Sequence, residues 1–74
     1  MSDKLLDCKN LNCPMPIVEI SKAMRGMETG QTLAVEASDP SFKADVHAWV
    51  RRMGHDMVSF ELESGIQTAL IRKV

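Results

Sequence analysis

Pro14-Met15-Pro16-Ile17-Val18-Glu19-Ile20-Ser21-Lys22-Ala23-Met24-Arg25-Gly26-Met27, followed shortly by Thr32-Leu33-Ala34-Val35-Glu36-Ala37, decides the architecture. In the first stretch Ile17, Ile20, Met24 and Met27 stand three, four and three apart. That is the spacing of one apolar helix face. Glu19, Lys22 and Arg25 fall mainly off it. Gly26 sits inside the last turn at some cost, and Gly30 reads as the stop. In the second stretch Leu33 and Val35 alternate with their neighbours, the period of a strand.

The same reading extends in both directions. Upstream, Lys4 to Cys8 is a short first strand ending in a turn, where Asn10 tolerates positive φ. Downstream, Asp39-Pro40 pairs an N-cap residue with a proline at the first helical position. Phe42, Val46, Trp49, Val50 and Met53 form a second core-facing helical stripe, closed by Gly54. Val58, Phe60 and Leu62 alternate as a third strand, Ser64-Gly65 makes a tight turn, and Gln67 to Arg72 is a fourth strand. The order βαβαββ predicts an α+β fold: a two-layer α/β sandwich with a four-stranded mixed sheet and both helices on one face.

Composition narrows the function classes. A chain of 74 residues makes a single domain, residues 1–74, with one thin core and no room for a large substrate cavity. Nine basic residues against ten acidic ones leave a net charge of −1, so the basic footprint of a nucleic-acid binder is missing and direct nucleic-acid binding is not expected. Two cysteines are too few for a disulfide scaffold. The longest charge-free run, Asn10 to Val18, has nine residues and includes two prolines, and the start lacks a signal peptide's apolar region. A soluble, cytoplasmic chain, monomeric when free, is the expectation.

Cys13-Pro14-Met15-Pro16 carries the chemistry. With Pro14 at the first helical position, Cys13 becomes the N-cap, where Ser, Thr, Asp or Asn would cap better. A thiol there makes sense if it is wanted for itself. The helix dipole favours negative charge at that end. Pro14 and Pro16 have no N–H, so Met15 keeps one of the few donors able to address the sulfur. An ordinary thiol is only about 3% thiolate at pH 7. A dipole worth about 0.3–2 kcal/mol raises that fraction by roughly twofold to over tenfold. No base, oxyanion site or pocket is implied, so the sulfur is expected to accept something and hand it on.

Leu6-Asp7-Cys8-Lys9-Asn10-Leu11-Asn12-Cys13-Pro14-Met15-Pro16 resembles the signature of the TusA/SirA-like (YedF/YeeD-related) sulfur carrier family, whose hallmark is Cys-Pro-x-Pro. Gly30 to Val35, Ser38-Asp39-Pro40 and Trp49 to His55 follow the family's pattern too. The resemblance implies a fold similar to the C-terminal domain of translation initiation factor 3. It implies that Cys13 accepts sulfane sulfur as a persulfide, as a sulfurtransferase-like carrier rather than a free-standing catalyst. A cysteine desulfurase or rhodanese is the implied donor and a DsrE/TusD-like protein the acceptor, in tRNA 2-thiouridine synthesis, sulfur oxidation or molybdenum-cofactor pathways. No cofactor and no metal are implied. Asn10 stands where the family usually has glycine, and His47 where it often has proline.

Other candidates compete with this reading. Cys8 is either a strand residue or a possible auxiliary thiol, since a bridge to Cys13 across one turn is within steric reach. A thiol–disulfide redox protein would use that pair, although the spacing is not Cys-x-x-Cys. A regulatory or nucleic-acid-binding module rests on fold analogy alone. Cys8, Cys13, His47 and His55 have ligand atoms but no recognised metal spacing. His55 reads as a favourable cation near a helix C-terminus. Lys22, Lys43, Arg51 and Arg52 are either solvated positions or a docking face for acidic surfaces. Met24, Met27 and Met53 are expected in the core, and Met15 beside Cys13 near a partner's apolar rim.

Overall fold

The computed structural model describes residues 3–12 and 14–74. Its elements are β1 (Lys4–Cys8), α1 (Met15–Arg25), β2 (Thr32–Ala37), α2 (Phe42–Met53), β3 (Asp56–Glu63) and β4 (Ile66–Arg72). The four strands form one sheet in the order β1-β2-β4-β3. β1 runs parallel to β2, with Leu6 opposite Val35 and Cys8 opposite Ala37. β4 is antiparallel to both β2 and β3. The expected βαβαββ mixed sheet is therefore the observed one.

Alternation places the core. Leu33, Val35 and Ala37 of β2 and Ala69 and Ile71 of β4 are buried and share one cluster with Ile20, Ala23 and Met24 of α1 and Phe42, Val46, Trp49 and Val50 of α2. Both helices thus cover the same face of the sheet, and the other face is left open. The β3–β4 turn has φ of 51° at Ser64 and 80° at Gly65. Positive φ at both central residues is the twist that a two-residue hairpin needs.

Four local expectations are corrected. The first is the start of α1. The helix opens at Met15 with Pro14 as its N-cap, so Pro14 is not the first helical residue, and the cap expected at Cys13 lies outside the described residues. It also ends earlier, at Arg25. Gly26 N–H donates to Ala23 and Met27 N–H to Met24, at 3.2 and 3.1 Å, and these i→i−3 bonds tighten and finish the last turn. Gly30, at φ 94°, instead leads into β2, donating from N–H to the Lys73 carbonyl at 2.8 Å.

The second correction concerns α2, which begins at Phe42 after a turn through Pro40 and Ser41. The Asp39 carboxylate accepts from Ser41 N–H and Oγ–H, each at 3.0 Å, so Asp39 organises the turn before the helix rather than capping it directly. The expected stop at Gly54 holds. Gly54 has φ 79°, and His55 N–H reaches back to Val50, the Schellman pattern that glycine permits.

Third, Met53 is 53% exposed and outside the core. Fourth, β3 does not alternate throughout. Its register shifts between Met57, opposite Ile71, and Ser59, opposite Leu70. A bulge at Val58 therefore changes the phase. Met57 and Phe60 pack on the core, whereas Val58 and Leu62 are 50% and 68% exposed.

Candidate functional site

Cys13, the residue on which the sequence reading centres, lies outside the described residues, and the site is built from what flanks it. β1 and β2 run parallel, so their carboxyl ends and the loops that follow share one end of the sheet. Ser38 Oγ–H donates to the Lys9 carbonyl and fastens the two loops together. Lys9 Nζ lies 3.0 Å from Glu36 and 3.3 Å from Asp7. The Asp7 carboxyl is held below its usual range by Lys9, through its backbone N–H first and its ammonium second. Leu11 N–H closes on the Cys8 carbonyl at 3.1 Å. The segment leading to position 13 thus leaves a braced loop.

On the far side, Met15 N–H donates to the Asn12 carbonyl at 2.8 Å. Ile17 and Val18 N–H both turn to the Pro14 carbonyl at 3.1 Å, and Pro16 has no N–H. This corrects the expected role of Met15: its N–H is not a free donor for sulfur. Pro16 is buried in α1, Pro14 is exposed, and Met15 is 43% exposed.

Cys8 occupies a different environment. It is wholly buried at the end of β1, opposite Ala37. Burial pushes its thiol up, and the Glu19 and Asp7 carboxylates push it further. A thiol in this state stays protonated and reacts slowly.

The two histidines hold structure in separate places. His47 Nδ1 is 2.7 Å from the Lys43 carbonyl, and its ring lies 5.1 Å from Phe60. His55 Nδ1 accepts from Val74 N–H at 3.1 Å, and its ring packs 5.4 Å from Trp49. Among the described residues, no group of three or more His, Cys, Asp or Glu gathers as a metal site.

Charge is unevenly divided between the layers. The helices carry Lys22, Arg25, Lys43, Arg51 and Arg52 against Glu19 and Asp45, five basic residues to two acidic. The strands carry Lys4 and Arg72 against Asp7, Glu36, Asp56, Glu61 and Glu63, two basic to five acidic. The net charge of −1 conceals this polarity. A shallow groove between α1 and α2 starts at Pro14 and is lined by Ile17, Val18 and Trp49, with Lys22, Arg25 and Arg52 around it. Sequence reasoning named Lys22 and Arg52 but missed Arg25. Lys43 instead lies over the Phe60 ring, 5.8 Å from its centroid, and Arg51 does not line the groove. Helical charge alone carried the signal, and the packing of α1 beside α2 chose its members.

No helix among the described residues is long and apolar enough to cross a membrane. The fold is similar to that of a SirA-like protein from Desulfitobacterium hafniense, with a TM-score of 0.81 at 20% identity over 93% of this chain and 95% of that one. In sequence, the chain is 47% identical over 72 residues to the "Putative sulfur carrier protein YrkI" of Bacillus subtilis (strain 168), covering 97% of this chain and 96% of that protein. It is 41% identical to a "Putative sulfur carrier protein" of Aquifex aeolicus (strain VF5), over 96% of this chain but 36% of that longer protein. The family model described as "Sulfurtransferase TusA" matches residues 4–73, nearly the whole chain. The chain belongs to the TusA sulfurtransferase family, with named relatives among sulfur carrier proteins.

Proposed function

We propose that the protein carries sulfane sulfur as a persulfide on Cys13 and relays it between the cysteines of two partner proteins. The observation that carries this reading is the family match across residues 4–73, which includes Cys13-Pro14-Met15-Pro16 at the start of α1. The surroundings support it. Position 13 lies between a braced loop and a helix start, beside the shallow groove that begins at Pro14.

The exchange conserves atoms and electrons. The Cys13 thiolate attacks the outer sulfur of a donor persulfide, the donor's S–S bond breaks, and the donor leaves as a thiolate. Cys13 then holds S–SH. An acceptor thiolate attacks that terminal sulfur, and Cys13 departs as a thiolate, ready for another cycle. The field of α1 stabilises the Cys13 thiolate both as nucleophile and as leaving group. Pro14 and Pro16 stiffen the start of α1, and Met15 presents an apolar side chain to the visiting protein. A cysteine desulfurase or rhodanese is the donor class, a DsrE/TusD-like protein the acceptor class, and tRNA 2-thiouridine synthesis or sulfur oxidation the kind of pathway served. Cys8, buried and protonated, serves packing in this scheme.

Intact mass under non-reducing conditions tests the reading. Incubation with a cysteine desulfurase and cysteine, or with a rhodanese and thiosulfate, should add one sulfur atom. Cys13→Ser should abolish the gain, and Cys8→Ala should retain it. An unchanged mass with both donor systems, or loss of the gain only in Cys8→Ala, removes the assignment.

A further inference from the structure

We propose that the groove between α1 and α2 is the docking surface for sulfur-exchange partners, and that it takes an acidic protein segment carrying an apolar anchor. The identity of the partners rests on the sulfur-carrier reading; the surface itself stands on its own geometry and charge. Along α1, Met15 and Val18 are 43% and 37% exposed, an apolar pair three residues apart on the helix surface. Lys22 and Arg25 continue the same side of the helix, and Arg52 of α2 faces them across the groove. The stripe is therefore apolar at the end next to position 13 and basic farther along.

These cations are available. Among the described residues neither Arg25 nor Arg52 has an ion pair, and Lys22 has one, an exposed contact with Glu19 at 3.6 Å. Such contacts contribute little and exchange readily for a better partner. The opposite, acidic face of the sheet would repel the same partner, so the polarity orients as well as attracts. Helical rise sets a distance. Lys22 and Arg25 lie seven and ten residues past Met15, about 10–15 Å along the axis. A matching partner has an apolar residue near its reactive sulfur and carboxylates about that far away. RNA fits less well, because three groove cations are few for a phosphate backbone and the apolar end would oppose it.

Two measurements test the surface. In the first, the isotope-labelled full-length protein is titrated with a synthetic acidic hexapeptide of glutamate and leucine, a basic peptide of arginine and leucine, and a single-stranded RNA decamer, by amide NMR. The acidic peptide should shift Val18, Ser21 and the Trp49 indole, and the triple variant Lys22→Glu, Arg25→Glu, Arg52→Glu should lose the effect. In the second, sulfur loading by a cysteine desulfurase is followed against salt. The triple variant should load with kcat/KM lowered about tenfold or more at low ionic strength, with the gap narrowing as salt rises. Its Cys13 should react with iodoacetamide at the rate of the parent, and the open-face variant Glu61→Lys, Glu63→Lys should load normally. Equal loading by parent and triple variant, or groove shifts larger with RNA than with the acidic peptide, overturns the proposal and leaves sulfur carriage intact. Peptide binding in the groove without sulfur uptake by the parent supports the surface and overturns the carrier reading.

Discussion

The N–H of Met15 donates to the carbonyl of Asn12 at 2.8 Å, so the one backbone donor expected to serve the Cys13 sulfur is already engaged. Ile17 and Val18 N–H turn to the Pro14 carbonyl, so in the proposed scheme the helix field is what activates the thiol. That field lowers a thiol pKa by at most about 1.5 units. The rate of iodoacetamide alkylation against pH, measured in Cys8→Ala so that a single thiol reports, should have its midpoint within that range below an ordinary cysteine. A midpoint about three units lower would reveal a stronger activating group.

Cys8 should behave as the opposite kind of thiol. Its pKa is raised in the fold by burial first and by Glu19 and Asp7 next, so above the unfolded-state pKa the native state binds more protons than the unfolded one. Its contribution to stability is then complete below about pH 8.5 and is lost as pH rises through the folded pKa. Urea midpoints measured from pH 7 to 10 should fall more steeply in wild type than in Cys8→Ala. Equal slopes would show that Cys8 is not the group responsible.

Lys73 joins the end of the chain to α1, its ammonium lying 2.6 Å from the Met24 carbonyl and 2.5 Å from that of Met27. These carbonyls lie at the end of α1, where a cation also opposes the dipole. Lys73→Met should destabilise the protein by about 1.5–3 kcal/mol in chemical denaturation, the range for hydrogen bonds involving a charged group. Hydrogen exchange should quicken first in the last turn of α1. A loss under about 0.3 kcal/mol would mean that water replaces the ammonium without cost.

The Val58 bulge offers a sharper contrast. Val58 is half exposed, and Val58→Thr should change stability by about 0.5 kcal/mol or less. Deleting Val58 is different, because a one-residue slip turns one end of β3 over. Either Met57 or Phe60 must then leave the core. Thermal unfolding should show the deletion to be severely destabilised while the substitution melts near wild type. Comparable melting of both variants would show that the bulge does not set the phase of β3.

Periodicity alone determined the element order, the mixed sheet, the two-layer arrangement and the buried stripes through Ile20, Met24, Val46 and Val50. Those signals are local: alternation marks a strand, three-and-four spacing marks a helix face, and Cys-Pro-x-Pro marks a helix start. The tertiary structure decided what depends on partners distant in the chain. The bulge at Val58 appears only when β3 is laid against β4, and Lys73 finds α1 only through the closed sheet. Cys8 lies in the core because its strand pairs with β2, which its residue type does not dictate. The docking groove arises from the packing of α1 on α2, which sets Arg25 and Arg52 across it from each other. Spacing along a chain specifies which side of an element is apolar, and only assembly specifies what the remaining sides face.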